Sequence, residues 1–179
     1  MTPRNRSAVS QRTVFLLGAT ALLLAASLLV SLPAGAVPPQ KTDKLHASAI
    51  QVLRTQPSEG LTIPEDFRIA AYEHVIEQLK KLKKFENVYR EGDRDADNSP
   101  DLVILKMVPS AYKAGSQKER EVTTVKGATS IKFNVQFTKK DGTVLLDKEV
   151  EGKVRFFGEN LAATKDLAKK VAGVVKDNF

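Results

Sequence analysis

The chain has no cysteine and no tryptophan, only two histidines and three tyrosines, and no acidic residue before Asp43. Each shortage removes a class of chemistry. Without cysteine there can be no disulfide, thiol nucleophile, cysteine-based zinc site or iron–sulfur cluster, and packing alone must supply stability. Without tryptophan, aromatic platforms for sugar rings are poor, so paired acids for glycoside chemistry have little support. The histidines, His46 and His74, lie far apart, and neither stands beside a nucleophile motif. The sequence holds no G-x-S-x-G elbow and no phosphate-cradling glycine loop. No template for a catalytic site is met, and a non-enzymatic protein is the expectation, with no cofactor.

The first 36 residues carry Arg4, Arg6 and Arg12, then the apolar run Val14 to Val30, then SLPAGA. Positive, apolar, small is the order of a secretory signal peptide, with Ala34-Gly35-Ala36 as the cleavage site. Left uncleaved, the segment would be an anchor, and its apolar run is at the short end of a spanning helix. Either way the positive flank places the rest outside the cytoplasm, in the periplasm or extracellular space. No cysteine follows the small residues, so a lipid anchor is excluded by sequence. Residues 37–179 carry all the acids and a net charge of about +4. That excess is too mild to argue for nucleic acid. Residues 37–47, with two prolines, read as a tether, and 48–179 as a single domain.

Residues 48–54 form a short apolar-centred run, a candidate first strand. From Pro64 onward, Phe67, Ala71, Val75, Leu79 and Leu82 recur at helical spacing. Glu65 and Asp66 favour the positive end of that helix dipole, and Lys80, Lys81, Lys83 and Lys84 its negative end. The same lysines could be a membrane or nucleic-acid patch, but the dipole accounts for their placement. NVYRE reads as a short strand. DLVILKMV (101–108) is nearly continuous and apolar, as expected of a central strand covered on both faces. Pro109 and Gly115 read as breaks, and Glu121 to Val125 as a possible strand. Ile131, Phe133, Val135 and Phe137 alternate with polar residues, the clearest strand signal in the chain. Asp141-Gly142 supplies a hairpin turn. Leu146, Val150, Val154 and Phe156 continue the return strand. Lys148 and Gly152 interrupt its apolar face and predict an edge position or a bend. Leu161, Thr164, Leu167, Val171, Val174 and Phe179 mark a second amphipathic helix, weakened by Gly173. The order predicts an α+β fold: two helices on a mixed, mostly antiparallel sheet of four to six strands, the first helix crossing between the first two strands.

Two stretches invite chemistry. In GDRDADNSPD, Asp93, Asp95, Asp97, Ser99 and Asp101 fit ligand positions one, three, five, seven and nine of a calcium loop. Position twelve, which needs a bidentate glutamate, is Ile104. The stretch joins two strands rather than two helices, and turn chemistry explains its composition without a metal. Whether these aspartates bind a cation stays open. In AGSQKERE, Gly115, Ser116, Lys118 and Arg120 could hold a carboxylate or phosphate; a structural salt bridge or an exposed loop is the simpler reading.

Phe85, Asp101, Gly115, Ser116, Arg120, Gly142, Val144 and Leu145 fall in an order that resembles a family of uncharacterised exported bacterial proteins, a domain of unknown function. The resemblance covers residues 63–179. Many members carry a glycine-rich stretch after the arginine; here only Gly127 remains. The architecture is similar to small α/β envelope domains, among them those of the curli secretion lipoprotein and the N-terminal part of the Tol-system protein. The resemblance implies a binding or assembly module with an envelope protein partner, and implies no catalytic residue. The alternatives are a periplasmic small-ligand or metal-binding protein, and a hydrolase with an unrecognised site.

Overall fold

The computed structural model describes residues 44–56, 58–123, 126–156 and 158–179. The expected signal segment and the tether as far as residue 43 lie outside the described residues. From the start of the described chain, Leu45 N–H donates to Asn178 O at 2.7 Å, and Lys44 Nζ donates to Lys176 O.

Five strands form one sheet in the order β2-β1-β3-β4-β5. They are β1 (Ala49–Val52), β2 (Asn87–Arg90), β3 (Leu102–Lys113), β4 (Thr129–Lys139) and β5 (Val144–Val154). β1 runs parallel to both β2 and β3; β3, β4 and β5 run antiparallel. Helix α1 (Glu65–Leu82) is the crossover from β1 to β2. A 3-10 turn (Arg94–Asn98) leads from β2 to β3, short α2 (Gln117–Val122) joins β3 to β4, and α3 (Ala162–Asn178) closes the chain. The mixed α+β architecture is as the patterning predicts.

The core lies on one sheet face, where Phe133, Phe137, Leu105 and Met107 of the strands meet Leu79, Val75, Leu167 and Val171 of α1 and α3. Burying each such side chain is worth about 1.5–3 kcal/mol. Phe179 sets its ring against Phe85 and Phe137, with centroids 5.7 and 5.6 Å away. Helix α1 stops at Leu82 because Lys83 turns left-handed (φ 52°), its N–H donating to Lys80 O.

Four expectations need correction. β3 is central, but both its faces are covered only at its start. There Leu102 and Ile104 pack with Ala49, Tyr89 and the Ala96 of the 3-10 turn; Lys106 and Ser110 further on face solvent. Pro109 does not end β3. β1 finishes opposite Leu105, so Pro109 has a ladder neighbour on one side only, and the register shifts just after it. The stretch after Gly115 is helical through Val122 rather than strand from Glu121, because the Ser116 hydroxyl caps it by accepting from Glu119 N–H. Its helix is the third of the fold. Finally, β5 is an edge strand, one of the two readings its interrupted face allowed, and Gly152 marks a close approach rather than the bend. A Cβ there would stand 2.1 Å from Ala163 O and 2.6 Å from Leu167 Cβ, so only glycine lets α3 lie this near.

Candidate functional site

At the carboxyl ends of parallel β1 and β2, the chain leaves the sheet in opposite senses, toward α1 and toward β3. Such a switch point opens a crevice, because neither connection covers it. Here the crevice encloses about 620 Å³. Arg54 and Thr55 come from the end of β1, Arg90 to Asp93 from the end of β2, and Arg68, Ile69, Tyr72 and Glu73 from the first turns of α1.

Its charges divide into engaged and free. Arg90 grips Glu73 with both terminal nitrogens, at 2.5 and 2.7 Å, and its guanidinium lies 5.7 Å from the Tyr72 ring centre. This fork holds the Glu73 carboxyl below the usual range and pushes Arg90 up. Glu91 accepts from Arg54 N–H at 2.9 Å, and Asp93 accepts from Arg90 N–H at 2.7 Å. Glu91 N–H donates to the Tyr72 hydroxyl. Among the described residues, the guanidiniums of Arg54 and Arg68 make no hydrogen bond or ion pair. Thr55 is 7% exposed, and its hydroxyl has no partner. Ile69 stands 57% exposed on the same wall.

The four aspartates of GDRDADNSPD do not converge. Among the described residues no group of three or more potential metal ligands comes together. Asp93 serves as the side-chain acceptor of the turn, Asp95 and Asp97 sit exposed on the 3-10 turn, and Asp101 is exposed before β3. Lys140 of the hairpin reaches across to donate to Asp97 O and Ser99 O, at 2.7 and 2.8 Å. The stretch is a turn tied down by a lysine.

Arg120 is neither a salt bridge nor an exposed loop residue. It is 3% exposed, and neutral oxygens take all five donors. Nε donates to Phe156 O; Nη1 to Gly127 O and Thr129 Oγ1; Nη2 to Gly158 O and Asn160 Oδ1. Gly115 makes room for this junction: a Cβ there would fall 2.3 Å from Gly127 O. Gly115, Ser116 and Arg120, three of the signature positions, therefore pin α2, β4 and the entry to α3 together. No donor is left for an anion.

His46 is exposed near the start of the described chain. His74 Nδ1 lies 2.9 Å from Thr164 Oγ1, whose hydroxyl is 2.7 Å from Leu161 O. The hydroxyl donates to that carbonyl and accepts from the ring, and Thr164 is fully buried. The pair clamps α1 to α3; it is not a nucleophile with its base. Sequence reasoning singled out neither Arg54, Thr55, Arg68 nor Ile69. The visible signal was the strand–helix–strand crossover, which places any crevice at the strand ends.

These features define a small mixed-sheet α+β domain with one face covered by helices and a crevice at a parallel switch point. Solved structures share that fold. A PelC dodecamer from Paraburkholderia phytofirmans superposes with a TM-score of 0.55 at 10% identity, covering 74% of this chain and 88% of that one. A PelC variant dodecamer from the same organism gives 0.53 at 12% identity, covering 74% and 89%. No protein-family profile and no curated protein matches the chain. Among the described residues no helix is long and apolar enough to cross a membrane.

Proposed function

We propose that the chain is a non-enzymatic assembly module of a bacterial envelope, exported behind residues 1–36, that docks through the outer edge of β5. The observation that carries this reading is that edge. β5 has a ladder neighbour on one side only. Near its end α3 takes the outer groups, Lys170 Nζ donating to Glu151 O and Lys153 N–H donating to Asp166, so the free edge runs from Val144 to Val150. Its unpaired backbone groups offer strand addition to a partner or to a second copy. Asp147, Lys148 and Glu149 along it are exposed, so indiscriminate pairing is blunted and a charge-matched partner is favoured. Val144, 52% exposed at the hairpin end, adds an apolar contact. The fold shared with a PelC chain that forms a dodecamer lends support to self-assembly. The test is the mass of the purified exported protein, measured by sedimentation at micromolar concentration. A discrete oligomer, or a stoichiometric complex with an envelope protein, is the expected result. A monomer that copurifies with nothing contradicts the proposal. A second reading, a periplasmic small-ligand protein, is favoured by the crevice between β1, β2 and α1.

A further inference from the structure

We infer that the crevice at the carboxyl ends of β1 and β2 binds a small amphipathic monocarboxylate, with the acid group at Arg54 and Arg68 and the apolar tail along Ile69 and Tyr72. Nothing in the assembly reading requires this site, and it stands or falls independently.

Three observations carry it. First, the two guanidiniums facing the crevice are unengaged among the described residues, while Arg90 is locked to Glu73. A free guanidinium fork matches a carboxylate's planar pair of oxygens. Second, the Thr55 hydroxyl lines the same crevice, more than nine-tenths buried and without a partner. A buried hydroxyl left unpaired costs free energy that a ligand oxygen would recover. Third, Ile69 keeps an exposed apolar side chain beside the Tyr72 ring, on a helix whose other large apolar residues are covered.

Four acids against three arginines leave the lining net negative. The attraction for an acid group therefore comes from Arg54 and Arg68 at close range, and a single negative charge is the most the crevice admits. Glu65, Glu73, Glu91 and Asp93 line the crevice along with its three arginines. A dianion such as phosphate would meet those four acids with twice the charge. A singly charged carboxylate would not, and its tail gains from the apolar wall.

The experiment titrates the exported protein, labelled on backbone amides, with hexanoate, hexylammonium and inorganic phosphate in turn. Hexanoate should shift the amides of residues 54–55, 68–73 and 90–93, and the other two probes should not. Arg54→Gln and Arg68→Gln alter exposed or half-buried side chains, so both fold. Each should weaken hexanoate binding at least about tenfold. Thr55→Val should weaken it as well while raising the melting temperature of the free protein, which a merely structural hydroxyl would do without touching affinity. The inference is overturned if hexanoate moves no amide in the crevice, if phosphate binds as tightly, or if the arginine variants bind hexanoate like the parent.

Discussion

Two arginine-bearing junctions in this molecule carry opposite bookkeeping. At the α2–α3 junction, Arg120 is buried and every one of its donors ends on a neutral oxygen, of a backbone carbonyl, a hydroxyl or a side-chain amide. At the end of β1, Arg54 and Arg68 flank an open crevice, and the buried Thr55 hydroxyl there has no partner among the described residues. The lesson concerns what an arginine signature means. A guanidinium with five satisfied donors is a structural pin, however ligand-like its loop looks in sequence. A guanidinium with none satisfied, beside an orphaned hydroxyl, is a place where a partner has energy to gain.

The contrast can be broken most forcibly at the closed junction. Arg120→Met would strip the carbonyls of Phe156 and Gly158 of the donors that Arg120 gives them and separate α2 from the entry to α3. A loss of about 3–5 kcal/mol is expected in urea unfolding, because removing the guanidinium leaves several neutral acceptor oxygens without donors, at about 1–3 kcal/mol for each that stays buried. Arg120→Lys should recover less than half, since an ammonium cannot reach acceptors set for a planar fork. A small loss in both variants would erase the distinction between the two junctions. Next in size is Gly152→Ala on the same closed side. The new Cβ must push α3 away from β5, and a cost of about 1–3 kcal/mol is expected, read as a lower melting temperature.

The open junction predicts the opposite sign. Thr55→Val deletes the unpaired hydroxyl and should stabilise the free protein by about 1 kcal/mol in the same urea assay. Destabilisation there would mean that the hydroxyl has a partner after all.

The smallest effect belongs to the clamp between α1 and α3. Burial, and then Lys165, holds His74 below its ordinary value of 6.5, against the pull of Glu77 and Glu73. Because the folded value is the lower one, the unfolded chain takes up the proton first. Stability is full above about pH 6.5 and declines as the pH falls from there toward the folded value. Glu73 and Asp166 are also depressed, Glu73 chiefly through Arg90 and Asp166 through bonds from Lys170 and Lys153 N–H that outweigh its burial. Their contributions persist to lower pH and are lost only as the pH falls through the carboxyl range. His74→Gln should therefore flatten the melting-temperature profile between pH 7 and about pH 6 and leave the acid limb unchanged.

The elements were legible wherever periodicity was strong. Ile131 to Phe137 and the Phe67 to Leu82 stripe specify β4 and α1, because burial of one face imposes one period. Asp141-Gly142 turns as expected, with Gly142 at φ +85° and Thr143 N–H on the Asp141 carboxylate. Short α2 was not legible. Its helix rests on one cap and on Arg120's distant acceptors, which no local window contains. Lys148 and Gly152 signalled the edge position of β5 correctly, but not the close approach of α3, because Ala163 is remote from Gly152 in sequence. The crevice was hidden for the same reason. Thr55, Arg68 and Asp93 meet only after the crossover is built, and no spacing along the chain announces them. The aspartate run showed the converse: crowding in sequence did not become convergence in space, since a 3-10 turn points successive carboxylates apart.

The account's central claim is that β5 is a docking edge, and a photo-crosslinking residue placed at exposed Lys148 tests it most directly. In the native host, the account predicts a single dominant crosslinked band, containing a second copy of the chain or one envelope protein, identified by mass spectrometry. A chain that stays uncrosslinked at Lys148 would contradict it.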